Sequence, residues 1–120
     1  MVLSTTEGGI TVYRSVNAAG EVQYVGLTNN LARRAAKHLR GKGISIRAIP
    51  GLLNLTRIDA RAVEQALIEI HGLDKRGGTL MNKINSISSK NPAFNQRVQR
   101  GMELLRHVGY PIHWEHFATN

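Results

Sequence analysis

The chain has no cysteine. That excludes a disulfide framework and any thiolate metal site, while leaving the cellular compartment open. No apolar run approaches the ~18 residues that a membrane-spanning helix needs. Residues 1–9 lack the basic-then-apolar pattern of a signal peptide and read as a flexible lead-in. Tyrosine is scarce, with 3 in 120 residues, so a pattern that uses two of them is informative. Negative charge is scarcer still: 8 Asp and Glu stand against 16 Lys and Arg, a net charge of +8. Such a balance suits a polyanion, because each phosphate met by Lys or Arg releases condensed counterions. A basic but inert surface and an acidic protein partner are the plainer readings of the same charge.

What is present is enough for one folded domain, with 42% apolar residues. Residues 10–15 and 22–27 are β-rich runs around the turn Asn17-Ala18-Ala19-Gly20, the pattern of a hairpin. Thr28-Asn29-Asn30 can cap a helix over 31–41, which Gly41 and Gly43 stop. Residues 44–49 alternate as a third strand, closed by Pro50-Gly51. A second helix runs from Thr56 or Asp59 to about residue 70, with Ala60, Ala62, Val63, Ala66, Leu67 and Ile70 as its apolar stripe. Residues 79–87 are ambiguous between loop and short helix. Asn91-Pro92 then starts a last helix, with Gly109 and Pro111 as its stop. The order β-β-α-β-α-α predicts an α/β sandwich: a three-stranded mixed or antiparallel sheet flanked by helices, with an extra C-terminal helix. The expected organisation is one domain over 10–120, its core at 10–86 and a helical extension at 91–120.

Two tripeptides on the predicted hairpin are distinctive, Thr11-Val12-Tyr13 and Tyr24-Val25-Gly26. Asn30-Leu31 follows, then Arg34 and, four residues on, His38; Glu64 precedes Leu67-Ile68, and Asn82 lies further along. Together these residues resemble the GIY-YIG nucleases over roughly 10–86. The first tripeptide departs from the family name, with Thr for Gly and Val for Ile. Physical spacing agrees with the resemblance. Tyr13 and Tyr24 can pair across the hairpin on one face. Asn30, Arg34 and His38 line one side of the first helix, leaving Leu31, Ala35 and Leu39 for the core. Glu64 borders the apolar stripe, where a partly desolvated carboxylate calls for a partner such as a metal ion.

The resemblance implies a Mg²⁺-dependent DNA endonuclease, with Mn²⁺ as a substitute. It implies catalytic roles for Tyr13, Tyr24, Arg34, His38 and Glu64. Glu64 would hold the metal, and Arg34 would donate to the phosphate. Tyr13 or His38, or both, would activate the water, with Tyr24 in the same cluster. Arg33, Lys37 and Asn82 are the further nucleic-acid-binding candidates. Glu69 rivals Glu64 by periodicity alone, and Asn85 rivals Asn82. His71 is either a neighbour of Glu64 or a surface histidine. Arg97, Arg100 and Arg106 either extend a phosphate-binding face or are solvated. Trp114 and Phe117 read as a tail packed on the core.

No group is placed to read base edges, so cleavage of low sequence specificity is expected. The segments 60–68 and 77–88 resemble versions of this fold at the C-termini of bacterial polymorphic toxins. That likeness implies delivery within a larger secreted protein, action in the bacterial cytoplasm, and an acidic immunity protein as partner. A restriction- or repair-type nuclease and a non-catalytic nucleic-acid-binding module are the alternatives.

Overall fold

A computed structural model describes residues 9–112. Strands β1 (Thr11–Val16) and β2 (Val22–Thr28) form the predicted hairpin. Asn17 builds its turn, since Oδ1 accepts from Ala19 N and Glu21 N at 2.9 Å each. Gly20, at φ +84°, supplies the left-handed residue that closes it. A register shift between Ser15 and Val16 follows, so Tyr24 lies opposite Ser15 and Gly26 opposite Tyr13.

Helix α1 (Leu31–Lys42) starts at Asn30, whose side chain accepts from Arg33 N, and ends at Gly43 in the left-handed region. Helix α2 (Arg57–His71) is capped by Thr56, with Asp59 in its first turn. Helix α3 (Phe94–His107) follows a single 3₁₀ turn at Asp74–Arg76 and an irregular stretch.

The sheet is antiparallel, in the order β2-β1-β3. The third strand is far shorter than the alternation suggested: β3 is only Arg47–Ala48. Ile44 and Ile46 are buried, but they pack with Tyr13 away from the ladder. Ile44 N donates to His38 O at 3.4 Å, closing α1 instead of extending a strand. Beyond β3 the chain still follows the edge of β1, through Ile49 N to Val12 O and Val12 N to Leu52 O, both at 3.0 Å.

The two sheet faces differ. Val12 and Val25 face the main core with Val63, Ala66 and Leu67 of α2 and Leu105 of α3. Gly101 permits that helix pair to close, because a Cβ there would collide with the Ala62 carbonyl oxygen. The opposite face carries a smaller cluster of Tyr13, Ile44 and Ile46, with Tyr24, Leu31 and Ala35 packed against it. Leu39, expected in a core, is 60% exposed. The buried seam of α1 turns instead through His38, its one buried residue, so the histidine occupies the place predicted for the leucine.

Residues 79–87 form no helix. They run along the outer edge of β2, where Met81 N donates to Gln23 O at 2.7 Å. The last helix begins at Phe94, later than the predicted Asn91-Pro92 start. Asn91 forms a turn before the helix, its Oδ1 accepting from Ala93 N at 2.8 Å. Trp114 and Phe117 lie outside the described residues.

Candidate active site

The glycine of Tyr24-Val25-Gly26 makes room for the tyrosine of Thr11-Val12-Tyr13. A Cβ at Gly26 would collide with the phenol oxygen and Cζ of Tyr13. The two tyrosines are therefore diagonal neighbours on one face rather than a directly opposed pair. Their rings are nearly parallel, with centroids 6.4 Å apart and planes 20° apart. His38 of α1 completes a three-ring cluster. It meets Tyr24 edge-on at 4.8 Å between centroids, and its Nε2 is 3.0 Å from the Tyr13 hydroxyl.

Tyr13 is 1% exposed, and burial pushes its phenol up to about 12. Tyr24 and Glu64 add to that rise, and Arg34 opposes it. The Tyr24 phenol is also raised, by burial first and then by Glu64, again against Arg34. His38 is shifted the other way. Burial lowers its pKa, and the charges of Lys42, Arg34 and Lys37 add to the effect. At neutral pH the pair is thus a protonated phenol and a neutral imidazole, and the imidazole tautomer sets which of them donates.

Glu64 shares a cleft with Tyr24. Burial raises its pKa, while Ser86 and Arg61 hold it down. It lines a cleft of about 420 Å³ formed by Tyr24, Lys42, Arg61 and the 81–86 loop. Among the described residues Glu64 is the only carboxylate in that lining, facing the cations Lys42, Arg61 and Lys83. Lys42 Nζ sits 5.6 Å from the Tyr24 ring centroid.

The five predicted catalytic residues are therefore gathered. Tyr13, Tyr24 and His38 touch through their rings, and Arg34 and Glu64 act on both tyrosines through their charge. Glu69, the rival of Glu64, is exposed and accepts from Gln65 Nε2 at 3.0 Å. Arg33 and Lys37 are exposed on α1. Asn82 lines the cleft as well. Its side chain is buried, and both ends are spent on Val25: Oδ1 accepts from the backbone N at 3.1 Å and Nδ2 donates to the backbone O at 2.8 Å. Asn82 thus clamps β2 from the lining of the cleft, and its second Nδ2 proton is not used on Val25. Asn85 is likewise held, by Gln65 Nε2 at 3.2 Å.

His71 neither joins Glu64 nor lies free at the surface. Its Nε2 is 2.8 Å from the Tyr110 hydroxyl, to which Arg14 Nη1 donates at 3.1 Å. Burial and the Arg14 charge lower its pKa to about 4. Arg100 is held by Asp59 through two 3.2 Å contacts, which ties α3 to the start of α2.

Sequence reasoning missed Lys42, Arg61, Gln65, Lys83 and Ser86. Lys42 had a signal, because it lies one turn beyond His38 and extends the Asn30, Arg34, His38 row. Gln65 interrupts the apolar stripe, and a polar residue there is a sign of a buried network. Ser86 and Lys83 had none, since only the path of the chain after α2 brings them to Glu64.

Among the described residues no three His, Asp or Glu side chains converge as a metal cage. A hard divalent cation does not need one, because Mg²⁺ is commonly held by one or two carboxylates with waters and substrate phosphate. The Glu64 carboxylate and the Ser86 hydroxyl beside it, both hard oxygen donors lining the cleft, fit that chemistry.

One desolvated carboxylate among several cations is suited to a phosphate ester, and the chain's overall charge extends that to a polyanion. The class this fold and cleft define is a small α/β domain that acts on nucleic acid. The family model of the GIY-YIG catalytic domain matches residues 9–71, and the chain belongs to that family. It is a nuclease of the GIY-YIG superfamily, a hydrolase acting on DNA. No curated protein and no solved structure matches the chain significantly. The 81–86 loop and α3 lie beyond the matched stretch.

Proposed function

We propose that the protein is a Mg²⁺-dependent endonuclease of low sequence specificity, with Mn²⁺ able to substitute, and that it is the toxic effector domain of a bacterial antagonism system. The observation that carries the nuclease chemistry is the placement of Glu64, a lone carboxylate with a raised pKa in a cationic cleft beside the tyrosines. Glu64 and Ser86 would hold the metal, which supplies charge neutralisation at the scissile phosphate when bound.

The remaining steps belong to the chain's own side chains. Arg34 donates to the phosphate oxygens. Tyr24 lines the cleft and is the tyrosine placed to meet substrate. Tyr13 stands behind it, hydrogen-bonded to His38. A phenol pushed up to about 12 does not ionise near neutral pH, so His38 is the base of the pair. Tyr13 relays: its oxygen would take the proton given up by the attacking water as its own passes to His38 Nε2. That route requires the imidazole proton on Nδ1. Arg33 and Lys37, exposed on the same helix, hold flanking phosphates.

A plasmid-nicking assay tests this reading. The unsubstituted chain should nick with Mg²⁺ and stop with a chelator, and Glu64→Ala should be inactive under both conditions. Equal, metal-independent inactivity of both proteins would end the enzyme reading.

The toxin role rests on the likeness of 60–68 and 77–88 to toxin domains and on the +8 charge, which suits an acidic immunity protein over the cleft. Delivery would be as part of a larger secreted protein, and the site of action the bacterial cytoplasm. Cytoplasmic expression should stop growth, and the product of a neighbouring open reading frame should restore it. Unimpaired growth with active nuclease would remove the toxin role and leave the enzyme.

A further inference from the structure

The loop on the far wall of the cleft is held at both ends. At its start, Met81 N bonds to Gln23 O and the Asn82 side chain grips both backbone groups of Val25. At its end, Gln65 Oε1 accepts from Ser86 N at 2.8 Å and from Ile87 N at 3.0 Å, while Nε2 donates to Asn85 Oδ1. Both anchoring side chains are buried, Gln65 to 0% exposure. Lys83 and Ile84 lie between the anchors, and both are exposed.

Ile84 is 76% exposed, the highest value among the exposed large hydrophobics, and Met81 on the same loop is 37% exposed. A lone exposed isoleucine on a mobile surface loop means little. This one sits on a backbone fixed on either side, at the rim of the cleft that holds Glu64. It is β-branched and stiff at χ1, so its direction is set by that backbone. Lys42, Arg61 and Lys83 around the same cleft give the rim a positive charge. That charge favours a phosphate backbone over an apolar or basic protein surface.

We propose that Ile84 is an apolar wedge that enters the base stack of the nucleic acid bound at Glu64. The proposal rests on the nuclease reading and deepens it by naming what the enzyme selects. The cations seat the phosphates, and Ile84, which can make no hydrogen bond, gains only by contact with base faces. Proteins that kink DNA insert side chains of this kind between base steps. The preferred substrate is then set by how cheaply a step unstacks: flexible pyrimidine–purine steps, mismatches and strand junctions before regular duplex. Low sequence specificity and selection for deformable structure are compatible in this scheme.

The test uses the full chain as Glu64→Gln, which binds without cutting, and duplexes carrying 2-aminopurine at successive positions. Binding is followed by anisotropy and unstacking by 2-aminopurine fluorescence. The expected result is a fluorescence rise at one step, lost in Ile84→Ser and kept in Ile84→Met, with affinity for regular duplex changed by about threefold or less. In the cutting form, Ile84→Ser should lose its preference for a mismatched over a matched duplex. Duplex bound with no rise at any position, or a rise that Ile84→Ser retains, overturns the wedge and leaves the nuclease reading standing. An Ile84 that serves a protein partner instead would give equal DNA readouts for the two forms, which also overturns it. Absence of any anisotropy change, together with absence of nicking by the unsubstituted chain, brings down both readings and is separately visible.

Discussion

The Tyr13 hydroxyl and His38 Nε2 lie 3.0 Å apart, in a buried hydrogen bond that joins β1 to α1. Burial acts on the two partners in opposite directions, raising the phenol and lowering the imidazole. Both groups are therefore uncharged at neutral pH. If His38 is the base, kcat/KM falls as pH drops through its lowered pKa, so the acid limb lies below the ordinary histidine value of 6.5. Tyr13, at about 12, adds no alkaline limb in the usual working range. Tyr13→Phe should retain the fold and lower kcat by roughly 10- to 100-fold. A pH–rate profile of both proteins checks this, and an unchanged rate in Tyr13→Phe would remove the relay.

Gly26→Ala should damage the site without touching any functional group. The added methyl group collides with the Tyr13 phenol, which must swing away from Gly26 and, with it, from His38. Overpacking of this kind costs about 1–3 kcal/mol. Nicking activity should fall along with the urea midpoint. Preserved activity at full stability would show that the ring has room the geometry does not give it.

Glu64 is the place where stability and function should oppose one another. Its carboxyl pKa is raised by burial, so ionising it at neutral pH disfavours the folded state, and stability from this group increases as pH falls. Glu64→Gln should abolish metal-dependent nicking yet melt at the same temperature or higher, a gain of at most about 1 kcal/mol. Mg²⁺ should raise the melting temperature of the unsubstituted chain and not that of Glu64→Gln. A metal shift of equal size in both would place the ion elsewhere.

His71 gives a pH dependence of stability remote from the cleft. Its folded pKa is about 4, against an ordinary value of 6.5. The unfolded chain therefore takes up a proton before the folded one does. The stabilising contribution is complete above 6.5 and is lost as pH falls from there toward 4. Allowing for its partial exposure, the loss is roughly 2 kcal/mol. Urea unfolding at pH 7.5 and at pH 5 should show it, and His71→Gln should flatten the difference. An equal pH dependence in the variant would assign the acid loss to other groups.

Local patterns in the sequence carried well into the structure. The Asn17 turn, the Asn30 and Thr56 caps and the glycine stop of α1 depend on neighbours a few residues away. The row Arg34, His38 follows from helical period alone. Elements whose form depends on distant partners did not carry over as well. The third strand was curtailed because Ile44 is needed at the end of α1, and residues 79–87 were shaped by an edge of β2 more than fifty residues earlier in the chain. The family pattern marks Asn82 as a candidate without showing how its side chain is held. Only the fold shows that both ends of its carboxamide bond the Val25 backbone.

The two tripeptides and the residues spaced after them determined the family and the membership of the Tyr13, Tyr24, Arg34, His38 and Glu64 set, since motif spacing is a property of the chain. Tertiary structure decided how that set is arranged. It placed Tyr13 behind Tyr24, gave His38 the seam position expected for Leu39, and brought Lys42, Arg61 and Lys83 around Glu64. Burial and the summed field of distant charges set the environment of each member, and neither can be read from neighbours along the sequence.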